Sequence, residues 1–435
     1  MKIKTAHWTR EAASLIKSDP TNTVPPFDVS KLKPLLPNYH VWDNWFILDE
    51  EGNIANVLGV TVLVALIRPI DAGSGDGERI AYFYSEDGIH YKIGGMLFSK
   101  QLFDGVREWS GSTILRNDGS IQTFYTLAEG KEFKGIWQTT QRFATAIQTP
   151  SRDPNGRFSI ADPSYHELFK EPDGELYETA EQASRREELL PTAHKRELGS
   201  DQTENFCFRD PKFFKDPKTG EAYVFFEGNT GPKSGFAAGG VKQAYIGSSK
   251  FSKDYTPTVD DLKANGCVGV IKLTTGKYTY GNFLPPILTS NLVTDEIERI
   301  NMMFYQGKYY LFVAAHGNKC TLVSENPDLN NRDYMLGFVS DKLEGPFKPM
   351  NKSGVIVQQK SFGGAYEGQE TNQQYVYSWL IVPTADGLDC VSYSNYSKAP
   401  DGSIQPVKTA GPTLKVKVTG DKSEIIGLEY TVLAD

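Results

Sequence analysis

The sequence predicts an all-β fold of the propeller kind, on three observations. Short runs of aromatic and β-branched residues recur along most of the chain, separated by Asp-Gly, Thr-Gly and Gln-Gly pairs that suit tight turns. Helical periodicity is sparse. Polar motifs sit at the ends of runs far apart in sequence. Inner strands of separate blades would bring such residues together around a central channel.

The hairpins follow in order. "RIAYFYSEDGIHYKIGG" turns at Glu86-Asp87-Gly88, and "ILRNDGSIQTFYTL" at Asp118-Gly119. "FFKDPKTGEAYVFFEG" turns at Lys218-Thr219-Gly220, "NMMFYQGKYYLFVAAH" at Gln306-Gly307, and "DYMLGFVSDKLEGPFKPM" near Glu344-Gly345-Pro346. These units share a style without a strict period. Thr9 is a candidate cap for a short helix over "REAASLIK". "ETAEQASRREELLP", ended by Pro191, is a second helix candidate inside a long polar insertion, about 150–204, expected on the rim. No low-complexity linker or composition break divides the chain, so residues 1–435 read as one domain.

The totals exclude several functions. With 39% hydrophobic residues in 435, the chain can bury a large core. The net charge of -8 and the scattered Lys and Arg argue against a nucleic-acid partner, which needs clustered cations. The longest apolar stretch, Val57 to Ile67, is far shorter than the ~20 residues that span a bilayer, so no membrane partner is expected. The first residues lack the apolar core and cleavage site of a signal peptide. Cys207, Cys267, Cys320 and Cys390 form no C-x-x-C pair; one bridge or free buried thiols are both open. Aromatics make up 12%, which suits either sugar stacking or ordinary strands.

Three acidic motifs carry the chemistry. In "HVWDNWF", an ideal strand puts Asp43 and Trp45 on one face and Trp42 on the other. An acid among indoles is costly to bury without partners, so Asp43 is either a nucleophile beside a sugar-stacking surface or a capping or turn residue. In "CFRDPKFF", Pro211 removes a ladder donor, which marks an edge or irregular strand and frees Asp210 to face a cavity; an Asp-Pro turn is the alternative. In "TDEIERINMMF", Glu296 and Glu298 would share a strand face about 7 Å apart. That proximity raises one carboxyl, as a general acid needs, while Arg299 can hold the other ionised. The alternative, an exposed charged edge, is opposed by the apolar residues that follow. Two carboxylates flanking a glycosidic bond suffice for hydrolysis or transfer.

"VWDNW", "EWSGS", "FRDP", "FEGNTG", "DEIER", "YMLGFVSDKLEGPFKPMN" and "YVYSW" occur in this order, and on them the chain resembles the levansucrase family of bacterial fructosyltransferases, glycoside hydrolase family 68. The resemblance implies a five-bladed β-propeller with a central funnel-shaped active-site pocket. It implies sucrose as donor, sucrose or a growing fructan or oligosaccharide as acceptor, no organic cofactor and an extracellular setting; a monomer is expected. Carried over by motif, Asp43 is the nucleophile, Glu298 the acid/base, and Asp210 the ionised stabiliser of the fructosyl transition state. Trp42, Trp109, Ser110, Arg209, Glu296 and Tyr377 match positions that line the sugar pocket, and Arg299 and Lys319 are counted with them.

The chain also departs from the family. His316 stands where many members carry Arg and others His, on the glucosyl or acceptor side. Phe206 is apolar where a polar residue is common, and Asn205 matches a position linked to polymer elongation. Some members carry structural calcium; Glu204 and Asp295 fall where acidic ligands would lie, but further oxygen ligands are missing, so a tight site is not expected and no metal ligand is assigned. A β-fructofuranosidase on the same scaffold is the near rival. A noncatalytic sugar-binding propeller and an arabinose-type glycosidase are more distant ones.

Overall fold

The computed structural model describes residues 1–73, 77–186, 206–234, 241–274, 276–364 and 371–435. Its strands form five four-stranded antiparallel blades in chain order. The innermost strands are Tyr39–Leu48, Arg107–Leu115, Phe208–Lys215, Glu298–Tyr305 and Val376–Pro383, here β1 to β5. Each continues outward through hairpins, as in the first blade, where β1 pairs with Thr61–Pro69, then Arg79–Ser85, then His90–Met96. The fold is therefore the five-bladed β-propeller expected from the sequence.

All five hairpins read from the turn residues are present. Gln306 and Gly307 both take positive φ, 47° and 81°, as a tight turn between twisted strands requires. Thr9 caps a helix of only five residues, Arg10–Ser14. Thr179 opens Ala180–Ser184 with a capping box, and the rest of that candidate helix beyond Arg186 lies outside the described residues. The proposed rim insertion is partly blade: Tyr165–Lys170 pairs with Ile136–Gln148 as the outermost strand of blade two. Its polar sequence reflects that outer position, where one face meets water.

Apolar side chains fill the wedges between blades. Phe124, Phe143, Phe208 and Phe226 pack between blades two and three, with the Phe143 and Phe208 rings 4.2 Å apart. Leu311, Val313 and Phe225 fill the next wedge, and Phe312, Trp379 and Val416 the one after. Most of the aromatic content serves this packing rather than a sugar surface. The last blade meets the first through Asn44 Nδ2 donating to Ser392 O (3.1 Å) and the Val41 amide donating to Lys408 O. The four cysteines are buried and free. No helix among the described residues is long and apolar enough to cross a membrane.

The inner strands position the site. β1 and β2 pair side by side at Ile47–Thr113 and Leu48–Ile114, near their C-terminal ends. Toward their N-terminal halves every inner strand breaks register with its neighbour. The breaks fall between Trp42 and Asn44, Trp109 and Gly111, Arg209 and Lys212, Glu298 and Asn301, and Tyr377 and Leu380. A bulge leaves a residue out of the ladder and re-aims its side chain. Asp43, Ser110, Asp210 with Pro211, Arg299 with Ile300, and Ser378 with Trp379 are the residues so released. Asp210, Arg299 and Ser378 also take positive φ of 57°, 53° and 59°, a strained backbone for non-glycine residues.

Candidate active site

A cavity of about 390 Å³ opens at this level of the channel. Its walls include Trp42, Asp43, Trp109, Ser110, Arg209, Asp210, Glu296, Glu298, His316 and Lys319. Ten of the thirteen residues expected from sequence thus meet in one place. Tyr377 joins them through its hydroxyl, which donates to Glu298 Oε2 at 2.6 Å. Asn205 lies outside the described residues, as does Glu204. Arg299 is placed differently, as described below.

Two acids share one hydroxyl. Ser110 Oγ is 2.6 Å from Asp210 Oδ1 and 3.1 Å from Asp43 Oδ2. A serine carries one proton to donate, so it serves one of them at a time. Asp210 is anchored further, because its Oδ2 accepts the Arg299 amide at 3.0 Å and its own amide donates to Thr126 Oγ1. Asp43 Oδ1 accepts no hydrogen bond among the described residues and faces the cavity.

The opposite wall is a charge cluster. Arg209 Nε donates to Glu227 Oε2 (2.8 Å), and one terminal nitrogen reaches Glu296 Oε2 and Glu298 Oε1, both at 3.1 Å. His316 Nδ1 is 2.9 Å from Asp333 Oδ1, its Nε2 lies 3.5 Å from Glu298 Oε2, and its ring stacks on Tyr377 at 4.4 Å. Burial, then the charge of Glu296, pushes the Glu298 carboxyl up to about 7 against the pull of Arg209, His316 and the Tyr377 hydroxyl. Burial would also raise Glu296, but the charges of Lys319, Arg209 and His316 overcome it and hold that carboxyl at about 2. Burial opposes the His316 cation, yet Asp333, by charge and hydrogen bond, and then Glu298 and Glu296 lift it to about 9. The cavity therefore offers one carboxyl that keeps its proton up to neutral pH, beside another that loses it readily.

Three expectations need correction. Trp42 was expected to point away from Asp43, but both line the cavity because the bulge interrupts the alternation, while Trp45 is buried in the core. Glu296 and Glu298 do not share a strand face: β4 begins at Glu298, and Glu296 sits in the segment leading into it. They converge because both bind Arg209. Arg299 does not hold either acid. Its positive φ turns the guanidinium beneath the floor, where it donates to Asn44 O and lies over Trp45, and its amide reaches Asp210.

With this geometry in view, the comparisons with known proteins decide the family. The family described as Levansucrase/Invertase matches residues 2–430. This chain belongs to the levansucrase/invertase family. The levansucrase of Bacillus amyloliquefaciens is 31% identical over 97% of this chain and 88% of its own length. A crystal structure of Bacillus subtilis levansucrase superposes with a TM-score of 0.80 at 27% identity, covering 98% of this chain and 97% of that one. Inulosucrase from Halalkalicoccus jeotgali, bound to kestose, gives a TM-score of 0.75 at 29% identity over 98% and 96%. A Geobacillus stearothermophilus relative, 28% identical over 97% of this chain and 88% of its own length, is named an inactive levansucrase, so membership of the levansucrase/invertase family alone does not guarantee turnover.

The sequence reading missed Glu227, Leu66, Arg68, Glu78 and Lys408 around the pocket. Glu227 lies in "FEGNTG", a motif recognised without a role; burial drives its carboxyl well above the usual range. Leu66, Arg68, Glu78 and Lys408 sit in no motif that would have found them. Phe206 is buried in the core between blades two and three, and its carbonyl accepts from Gln141 Nε2 at 2.9 Å.

Asp295, where an acidic calcium ligand would fall, has a cationic side chain for a neighbour. Arg186 is buried nearby, held by Glu178 at 2.6 Å, and its charge is sustained by both Glu178 and Asp295. A guanidinium there supplies the positive charge that a hard cation would otherwise bring. Thermal unfolding should therefore shift by less than about 2 °C between excess chelator and excess calcium. A larger gain in calcium would show a tight site.

Proposed function

We propose that this chain is a sucrose-dependent fructosyltransferase that retains anomeric configuration through a covalent fructosyl-enzyme. The observation that carries this reading is the convergence of Asp43, Asp210 and Glu298 on one cavity, where burial and the neighbouring Glu296 push the Glu298 carboxyl up. In the first step Asp43 attacks the anomeric carbon of the fructosyl unit and the glycosidic bond breaks. The proton of Glu298 goes to the departing glucose oxygen. In the second step the Glu298 carboxylate takes a proton from the acceptor hydroxyl, whose oxygen attacks the same carbon and frees Asp43. Asp210, fixed by Ser110 and the Arg299 amide, faces the same space and stabilises the positive charge that develops on the sugar ring.

The acceptor decides the product. Water gives free fructose; sucrose or a growing chain gives oligosaccharide or fructan. Bound kestose in the Halalkalicoccus relative and the levansucrase names of other relatives support transfer. Chromatography of products from sucrose tests the reading: free glucose should exceed free fructose, with the difference recovered as oligosaccharide. Equal amounts would assign hydrolysis instead, and no glucose would overturn the reading.

A further inference from the structure

Lys408 has no part in the mechanism above, yet it lines the same cavity as Asp43. It lies in the segment that joins the second and third strands of blade five, Leu388–Ser394 and Thr413–Thr419. Its backbone is tied to β1 on both sides, the carbonyl accepting the Val41 amide and the amide donating to His40 Nδ1. Its ammonium lies 5.2 Å from the Trp42 ring centre and 5.3 Å from that of Tyr393. Arg68 approaches the same indole at 5.8 Å.

The other cations around the cavity are committed. Arg209 binds three carboxylates, His316 bridges Asp333 and Glu298, Arg68 lies 3.9 Å from Glu78, and the charge of Lys319 acts on Glu296. Among the described residues, Lys408 Nζ makes no hydrogen bond and has no carboxylate within ion-pair distance. The aromatic faces stabilise its charge but cannot accept its three N–H groups as hydroxyl oxygens would. Burial lowers its proton affinity, and the charges of Asp43 and Glu298 partly restore it. A half-buried ammonium with unspent donors is costly unless a ligand completes it.

We propose that Lys408 is a specificity-determining residue that donates to hydroxyl groups of the sugar unit seated over Asp43. The ligand class is a neutral polyol rather than an anion. Asp43 and Asp210, which share the Ser110 hydroxyl, would repel a phosphate or carboxylate seated over them, while the cavity's other acids, Glu78, Glu296 and Glu298, are matched by Arg68, Arg209, His316 and Lys319. Neutral hydroxyls accept strong bonds from an ammonium without that penalty. This inference rests on the proposed reading of the site, and it adds a contact to the transferred unit rather than to the leaving group.

Lys408→Met and Lys408→Arg test it, with initial rates of glucose and fructose release from sucrose, calorimetric titration with D-fructose, and thermal unfolding. The Met variant should lose roughly tenfold to hundredfold in kcat/KM and weaken fructose binding in parallel. The Arg variant should recover most of that loss. The ratio of free fructose to glucose should stay constant, because hydrolysis and transfer begin from the same bound unit. Any of three outcomes would overturn the inference: kcat/KM within twofold of wild type, a changed product ratio at unchanged glucose release, or a lower melting temperature with unaltered KM and fructose affinity. If the wild type released no glucose while the Met variant still lost fructose affinity, the proposed function would fail and the Lys408 contact would stand.

Discussion

Asp43→Ala should reduce sucrose turnover by roughly 10⁵-fold, because Asp210, the other carboxylate at that wall, has both oxygens held by Ser110 and the Arg299 amide and is not free to attack the anomeric carbon. Its half-exposed side chain takes one hydrogen bond, from Ser110, which keeps Asp210 as its partner when Asp43 is removed. Thermal unfolding should stay within about 2 °C of wild type, so the loss belongs to chemistry and not to folding. Mass spectrometry of wild type quenched during turnover should find one added fructosyl unit on the peptide containing Asp43, and none in the variant. Retention of a few per cent of wild-type turnover would remove Asp43 from the mechanism.

Glu298→Gln should cost about 10²- to 10⁴-fold with sucrose, the usual worth of a positioned acid and base. A fructoside with a phenolate-class leaving group needs little protonation, so its first step should recover in this variant and not in Asp43→Ala. The pH profile adds an independent readout. Glu298 must be protonated to begin, and its carboxyl lies at about 7, so kcat/KM should fall as pH rises through that value. His316 sits 3.5 Å away and its positive charge favours the ionised form of Glu298. Removing that charge with His316→Gln should move the alkaline limb to higher pH. Glu296→Gln removes a negative neighbour and should move it lower. Limbs that stay in place in both variants would show that another group governs the profile.

The pairing of residues at the site shows where sequence reasoning reached its limit. The crowding of Glu296 and Glu298 was legible because two acids two positions apart are close in almost any backbone. The cation that manages them was not. Arg299 is adjacent in sequence, yet Arg209, almost ninety positions away, makes both contacts. Trp42 was misdirected for the same kind of reason. Strand alternation is a rule about regular pairing, and the break between Trp42 and Asn44 suspends it at the one residue that matters. Lys408 left no mark, since a lysine in a polar loop looks like any solvated side chain until the seam between the last and first blades is closed.

By itself the sequence determined the repeated hairpins, the turn residues that set them, the apolar wedges and the identity of the acids. These depend on side-chain type and short spacing, which act within a few residues. Only the tertiary structure decided which groups face the cavity and what each one feels there. Bulges on five inner strands, at matching depth, turn one or two residues per blade out of the ladder. The electric environment of Glu298 is then summed over Glu296, Arg209, His316 and Tyr377, drawn from three blades. Charge acts through space at distances of a few ångströms, so a proton's preference is written only when those strands stand side by side.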